Sequence, residues 1–282
     1  MAVELNDLFG LKGKNVVITG TGSGMGHAAA ELLVQLGANV YAATHRRPLD
    51  LPVTASIACD LSNKGGCDKL IDAAPEHIDA LFVCHGTADE FGGGNALTVQ
   101  LTNFWSFKYL AESLLDRITD WGSVTFISSN GGKFWRDNVE ACLELCDCES
   151  WDEALAWYGE HPSYTGLGYT FSKECQHAYV MSRVHEPLYI DRKIRINAIA
   201  PGLTRTGLTD AFNRQIDGDP EHGRAVIEGL YLDSWNGRYA TPEEMGWPLV
   251  AIGSKLFSYM SGQIVYIDYG CASEDEMNML VD

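Results

Sequence analysis

The amino-acid sequence predicts an α/β fold in which a parallel β-sheet is covered by helices. Short apolar segments that fit buried strands alternate with longer segments that have helical spacing. Parallel neighbours need a helical crossover between them, so this alternation favours a parallel sheet. The predicted strands are 15–19, 40–44, 56–59, 80–84, 124–128, 194–199 and 264–267.

Length and composition favour one domain. The 282 residues are 46% hydrophobic and 21% charged, which is enough for one large buried core. We find no internal repeat, linker or run of about 18 apolar residues, and the first ten residues lack the pattern of a signal peptide. We therefore expect a single Rossmann-like domain over residues 1–282, doubly wound, with no membrane span.

Charge and cysteine content limit the partners and the compartment. A formal net charge of −18 opposes the basic surface that nucleic-acid binding needs. The 8 cysteines show no disulfide-framework spacing. We expect reduced thiols in a cytoplasmic protein, with no nucleic acid as a partner.

A glycine-rich turn follows the first predicted strand. The sequence TGTGSGMG leads into a helical segment that ends at Gly37. Glycine allows the backbone to approach a pyrophosphate closely, and a helix N-terminus offers free N–H groups. This context favours phosphate binding over a glycine turn without a ligand. The candidate residues are Gly20, Ser23, Gly24, Met25 and Gly26.

The end of the second predicted strand indicates which dinucleotide binds. A carboxylate at this place would bond the ribose 2′-OH of NAD, but the chain has Thr44, His45, Arg46 and Arg47. Two guanidinium groups suit a 2′-phosphate, so NADP(H) is favoured. NAD(H) remains possible if these arginines form a solvated turn.

The third predicted strand is followed by Asp60 and Leu61, which are further cofactor candidates. The Asp60 carboxylate could accept a hydrogen bond from the adenine amino group. It could equally cap a turn.

Four positions carry the chemistry of a hydroxyl or carbonyl reaction. Tyr169 and Lys173 are one helical turn apart, so the ammonium group of the lysine can favour the phenolate form of the tyrosine. Ser128 and Ser129 end a predicted strand, and we choose Ser129 as the group that holds a substrate oxygen. Asn103 lies in a helical segment, where asparagine is unfavourable, so we expect its side chain to organise a water molecule rather than to serve packing.

Together these motifs resemble the short-chain dehydrogenase/reductase family over nearly the whole chain. The resemblance also includes NAIAPGLTRT at 197–206 and SGQIVYIDYG at 261–270. It implies that Tyr169 is the catalytic acid/base, that Ser129 orients the substrate and that Asn103 holds a proton-relay water. It further implies that Lys173 binds the nicotinamide ribose and lowers the pKa of Tyr169.

The resemblance also implies cofactor contacts and assembly. Members of the family usually form dimers or tetramers, so we expect a homodimer or homotetramer, and the long helix that begins near Tyr169 commonly packs against its copy. The remaining cofactor candidates are Gly86, Pro201, Gly202, Leu203, Thr204 and Thr206.

The chain departs from the family pattern at two places. Val83-Cys84-His85-Gly86 stands where the family usually has Asn-Asn-Ala-Gly. Ser129 and Tyr169 are separated by a long insertion at about 133–165, which resembles that of bacterial 3α-hydroxysteroid dehydrogenase/carbonyl reductases.

Apolar spacing predicts two helices in this insertion. The first would bury Val139, Cys142, Leu143 and Cys146. The second would begin with a capping box of Ser150 and Glu153 and bury Trp151, Ala154, Leu155 and Tyr158. We interpret Cys142, Cys146 and Cys148 as packing residues; a zinc site with His161, or a disulfide, is the alternative.

The insertion should emerge beside the active-site mouth, with a substrate loop at about 207–240. Aromatic rings there fit a flat apolar substrate, so a hydroxysteroid or bile acid is favoured. A broad-scope carbonyl reductase and a nucleotide-sensing binding protein are the alternatives, and the rings could instead pack on the domain. These rings are Trp135, Trp151, Trp157, Tyr158, Phe212, Tyr231, Trp235 and Tyr239.

Overall fold

The computed structural model describes residues 4–46, 48–88, 95–209, 213, 219–229 and 237–281. Within them, 7 parallel strands form one sheet in the order β3-β2-β1-β4-β5-β6-β7. The order reverses between β1 and β4, which confirms the doubly wound α/β prediction. The strands are β1 Asn15–Ile18, β2 Asn39–Thr44, β3 Ala55–Ala58, β4 Ile78–Val83, β5 Ile118–Ile127, β6 Arg195–Pro201 and β7 Gln263–Ile267.

Helices cover both faces of this sheet, which is why its strands are apolar without strict alternation. One core lies between the sheet and α2 and α12, and the other lies beneath α3, α5 and α9. A π-helical turn, Leu101–Trp105, joins α4 to α5. The described helices are α1 Leu5–Phe9, α2 Gly24–Gln35, α3 Lys64–Ala73, α4 Ala96–Gln100, α5 Ser106–Leu114, α6 Val139–Asp147, α7 Trp151–Glu160, α8 Pro162–Gly166, α9 Tyr169–Ser182, α10 Pro187–Asp191, α11 Pro220–Ile227, α12 Pro242–Gly253 and α13 Cys271–Val281.

The central part of helix α9 is buried on every side. All residues from Phe171 to Val180 are buried, including Lys173, Gln176 and His177. The insertion provides the outer cover, because α6 packs along α9. Residues 171–180 of α9 are therefore covered within the chain.

The first insertion helix is present, but its predicted buried face was partly wrong. Helix α6 buries Ala141, Cys142, Leu145 and Cys146, whereas Leu143 is 36% exposed. Residues three and four apart lie next to each other on a helix, so the spacing of apolar residues alone does not decide which of two neighbouring faces is buried. Contact with α9 selects the stripe that contains Ala141 and Leu145.

The second insertion helix differs from its prediction in similar detail. The hydroxyl of Ser150 accepts from the amide of Glu153 at 3.2 Å, but the Glu153 carboxylate accepts from the amide of Glu149 at 2.8 Å. Only half of the predicted capping box therefore forms. Helix α7 buries Trp157, and Leu155 is 39% exposed.

The insertion cysteines are packing residues, as predicted. Cys142 and Cys146 are free thiols that are fully buried against α9. The Cys148 thiol donates to the carbonyl of Glu144 at 3.6 Å, and the ring of His161 stacks on Trp157 at 4.2 Å. In the part of the chain that the structure describes, no group of three His, Cys, Asp or Glu side chains has the arrangement of a metal site.

Among the described helices, none combines the length and the apolar character needed to cross a bilayer.

We expect the aromatic contacts of the insertion to stabilise the fold. Trp151 is 8% exposed, and its ring lies 5.5 Å from Tyr109 and 6.4 Å from Trp105. Trp151→Ala should lower the free energy of unfolding by about 3–5 kcal/mol, because it leaves a cavity under α7. Urea denaturation would measure this loss. Leu155→Ala, on the exposed side of the same helix, should cost about 0.5 kcal/mol, and equal losses would contradict the packing described here.

Candidate active site

A cavity of about 1210 Å³ opens at the carboxyl ends of the strands, beside the reversal between β1 and β4. Ligands of open α/β sheets bind at this place. The predicted residues that line it are Gly20, Ser23, Gly24, Met25, Gly26, Thr44, His45, Arg46, Asp60, Leu61, Gly86, Ser129, Tyr169, Lys173, Pro201, Gly202, Leu203, Thr204 and Thr206. Asn103 lies behind this lining, and Arg47 falls outside the described residues.

The glycine-rich turn is shaped by close backbone contacts. Gly20 has φ +68°, and a Cβ there would lie 2.6 Å from the amide nitrogen of His85. A Cβ on Gly26 would lie 2.5 Å from the carbonyl oxygen of Gly20. The turn therefore runs directly into α2, whose first N–H groups face the cavity in a cradle that suits a pyrophosphate.

The end of the cavity beside β2 and β3 has mixed charge. His45 Nε2 lies 3.8 Å from Asp60 Oδ1, and Arg46 lines the same wall. Asp60 also caps its own turn, because the hydroxyl and the amide of Ser62 donate to Oδ1 at 2.7 Å and 3.0 Å. Burial alone would raise the pKa of Asp60, but these hydrogen bonds and the neighbouring His45 and Arg46 hold it below its usual value.

The loop after β5 brings Ser129 to Tyr169. A Cβ on Gly132 would lie 2.6 Å from the carbonyl oxygen of Lys173, so only glycine allows α9 to approach this loop so closely. The Ser129 hydroxyl accepts from the amide of Gly131 at 3.1 Å and is hydrogen-bonded to the phenol of Tyr169. Of the two serines, Ser129 rather than Ser128 is therefore the one whose side chain contacts Tyr169.

Burial dominates the protonation of Tyr169 and Lys173. It raises the pKa of Tyr169 to about 12, against a smaller lowering by Ser129. It lowers the pKa of Lys173 to about 7. The Lys173 ammonium lies 5.4 Å from the centre of the Tyr169 ring. Burial thus outweighs the hydrogen bond from Ser129 at the Tyr169 phenol, and the lowering of its pKa by Lys173 stays a prediction.

Asn103 organises the chain beside the cavity. Its Oδ1 accepts from the amide of Thr87 and its Nδ2 donates to the carbonyl of Thr87, each at 2.8 Å. Nδ2 also lies 3.4 Å from Ser172 Oγ. The amide thereby ties the π-helical turn to the loop after β4 and to α9.

His85, one of the residues that depart from the family pattern, joins the residue after β1 to α5. The hydroxyl of Ser106 donates to the carbonyl of Thr102 at 2.8 Å, so it accepts from His85 Nε2 at 2.7 Å. Nδ1 then accepts from the hydroxyl of Thr19 at 2.8 Å. This network assigns a neutral imidazole protonated at Nε2, and burial together with Lys173 lowers the pKa of His85 to about 3.

The part of the cavity beside the loop after β5 contains residues that the sequence did not indicate. Lys133, Asp268, Tyr269 and Cys271 line it, and Lys133 forms an ion pair with Asp275 of α13. Lys133 and Cys271 lie outside the motifs of the sequence, and Asp268 and Tyr269 belong to the segment 261–270, for which the sequence indicated no contact with the cavity. The ion pair between Lys133, in the loop after β5, and Asp275, in the C-terminal helix, joins distant parts of the chain, so local sequence patterns do not indicate it.

The predicted aromatic wall from the insertion was wrong. Trp151, Trp157 and Tyr158 are buried in the core and do not line the cavity. Trp135 packs against the same core. Of the second aromatic group, Tyr239 does line the cavity, and Phe212, Tyr231 and Trp235 lie outside the described residues.

Comparison with known proteins identifies the family. The chain is 31% identical over 202 residues to coniferyl-alcohol dehydrogenase of Pseudomonas sp. (strain HR199 / DSM 7063), covering 72% of this chain and 77% of the relative. The chain belongs to the short-chain dehydrogenase/reductase family. A family model described as enoyl-(acyl carrier protein) reductase matches residues 169–272 of this short-chain dehydrogenase/reductase.

Two further similarities cover almost the whole chain. The 3α-hydroxysteroid dehydrogenase of Mediterraneibacter gnavus is 27% identical, over 92% of this chain and 96% of the relative. The crystal structure of 3α-hydroxysteroid dehydrogenase from Pseudomonas sp. B-0831, complexed with NADH, superimposes with a TM-score of 0.74 at 23% identity, over 93% of this chain and 98% of that one. As a short-chain dehydrogenase/reductase, this protein is an oxidoreductase of alcohol and ketone groups.

Proposed function

We propose that this short-chain dehydrogenase/reductase interconverts a secondary alcohol and a ketone on a hydrophobic ring substrate, with NADP(H) as cofactor. The observation that carries the proposal is the grouping of Ser129, Tyr169 and Lys173 in the cavity that the glycine-rich turn borders. A nucleotide-sensing protein would not require these three side chains together.

The chain's own residues handle the proton. The nicotinamide cofactor, when bound, supplies or accepts a hydride. In reduction the phenol of Tyr169 gives its proton to the oxygen of the ketone, and in oxidation the phenolate takes a proton from the alcohol. Ser129, which is hydrogen-bonded to Tyr169, orients that oxygen. Lys173 binds the nicotinamide ribose, and Asn103 holds a proton-relay water.

Two substrate classes are supported by similarity. The matches to 3α-hydroxysteroid dehydrogenases support a hydroxysteroid or bile acid as the leading candidate. The match to coniferyl-alcohol dehydrogenase favours an aromatic alcohol as the second candidate. A cavity of about 1210 Å³ has room for a dinucleotide and a ring substrate together.

The test is a panel of 3-, 7-, 17- and 20-ketosteroids, coniferyl aldehyde and small ketones, assayed with NADPH. We expect turnover with at least one ring substrate. Tyr169→Phe should reduce that turnover by about 10²–10⁴-fold, since it removes only the acid/base oxygen. Cofactor affinity, measured by fluorescence titration, should change little.

Tyr164→Phe is the matched control, because it removes a phenol oxygen from the helix immediately before α9. Its turnover should equal that of the wild type. Turnover of Tyr169→Phe within a few-fold of wild type would remove Tyr169 from the mechanism, and no reaction with any carbonyl compound would contradict the proposed function.

The proposed preference for NADP(H) over NAD(H) depends on the charges at the end of β2. The wall that would meet the adenosine ribose has Thr44 and Arg46 in the cavity lining, and a guanidinium favours a 2′-phosphate. Thr44→Asp should shift the ratio of kcat/KM values toward NAD, because a carboxylate accepts from the ribose hydroxyl and repels the phosphate. Parallel assays with NADPH and NADH measure the ratio, and a wild-type preference for NADH would contradict the proposal.

We also propose a homodimer or homotetramer whose interface does not use α9, because α6 already covers that helix. Light scattering should give two or four times the mass of one chain, and a monomer at micromolar concentration would contradict this. The 8 free thiols support a reducing, cytoplasmic location, which cell fractionation tests.

A further inference from the structure

A buried glutamine connects two of the residues proposed to act in the reaction. Gln176 lies on α9, one turn after Lys173, and is 2% exposed. Its Nε2 donates to the main-chain carbonyl of Asn103 at 2.5 Å. Its Oε1 accepts from the ammonium group of Lys173 at 3.3 Å. One side-chain amide thus spans the distance between the π-helical turn and the lysine.

The orientation of this amide follows from its partners. A main-chain carbonyl can only accept a hydrogen bond, so the NH₂ group of Gln176 must face Asn103. The oxygen of the amide is then directed toward Lys173, whose ammonium can only donate. The carbonyl of Asn103 belongs to a turn in which the amide of Ser106 reaches the carbonyl of Leu101, and such widened turns often occur at functional sites.

Among the described residues, few polar groups surround the ammonium group of Lys173 besides the oxygen of Gln176. The ammonium also donates to the carbonyl of Ile127 at 3.3 Å, and the ring of Phe107 lies 5.5 Å away. The titratable groups that face it in the described structure are Tyr169, His85 and His177. Burial, with a second contribution from Lys173, lowers the pKa of both histidines to about 3, so they are neutral when the lysine titrates.

Neutral oxygen atoms therefore stabilise the charged form of Lys173 in a site where burial opposes that charge. Two carbonyl acceptors, one from Ile127 and one from Gln176, receive its N–H groups. Hydrogen bonds to a charged group contribute more than those between neutral groups. Gln176 is the acceptor that comes from a side chain, and it is held in place by its bond to Asn103.

We propose that Gln176 is a positioning residue that holds the ammonium group of Lys173 in its working place by bridging it to the main chain at Asn103. The importance of this for turnover rests on the proposed function, in which Lys173 acts beside Tyr169. The bridge itself is a property of the protein without substrate.

The bridge can be tested by the titration of Lys173. Protein labelled with [¹³Cε]lysine would be titrated by NMR, and the signal of Lys173 would be assigned by its loss in Lys173→Met. Gln176→Met keeps the size of the side chain and removes both hydrogen-bonding groups. It should lower the pKa of Lys173 by about one unit, because the charged form loses an acceptor.

Gln100→Met is the matched control. Gln100 is also fully buried, and its Nε2 donates to the carbonyl of Tyr164 at 3.0 Å, away from Lys173. This variant should leave the titration of Lys173 unchanged.

The outcomes separate the two proposals. An unchanged Lys173 titration in Gln176→Met contradicts the bridge, whatever the activity. A shifted titration in a protein that turns over no alcohol or ketone supports the bridge and contradicts the proposed function. If Gln176→Met fails to fold, Gln176→Leu replaces it. Failure of both variants while Gln100→Met folds would make Gln176 a purely structural residue and the proposal wrong.

Discussion

The site depends on the close packing of helix α9 against the loop that follows β5. At Gly132 the two backbones are so close that a Cβ would lie 2.6 Å from the carbonyl oxygen of Lys173 and 3.0 Å from the ring of His177. This approach lets Ser129, which follows β5, reach Tyr169, which begins α9 40 residues later. Without it, these residues would belong to different parts of the surface.

The same packing buries polar side chains of α9, two of which form hydrogen bonds to the main chain. Lys173 and Gln176 bond to the carbonyls of Ile127 and Asn103. His85 is held between the hydroxyls of Thr19 and Ser106. Buried polar groups are costly unless they are satisfied, so each of these bonds also restricts the geometry of the site.

Local patterns predicted the sheet, the glycine-rich turn and the order of Ser129, Tyr169 and Lys173, because each depends on neighbouring residues. The faces of the insertion helices were harder to predict. Leu143 and Leu155 have the spacing of buried residues but are exposed, since the position of α9 decides which stripe is covered. The ion pair between Lys133 and Asp275, and the bridge made by Gln176, had no signal in the sequence, because they join segments that only the fold brings together.

The most direct measurement of the central claim is the turnover of Gly132→Ala with a ring ketone and NADPH, beside Gly159→Ala as control. Gly159 lies on α7, and a Cβ there would meet nothing within 4 Å, so its variant should keep wild-type turnover. Gly132→Ala should lose about 10²-fold or more, because α9 must move away from Ser129 and small displacements of catalytic groups are costly. Wild-type turnover in a folded Gly132→Ala protein would contradict the account.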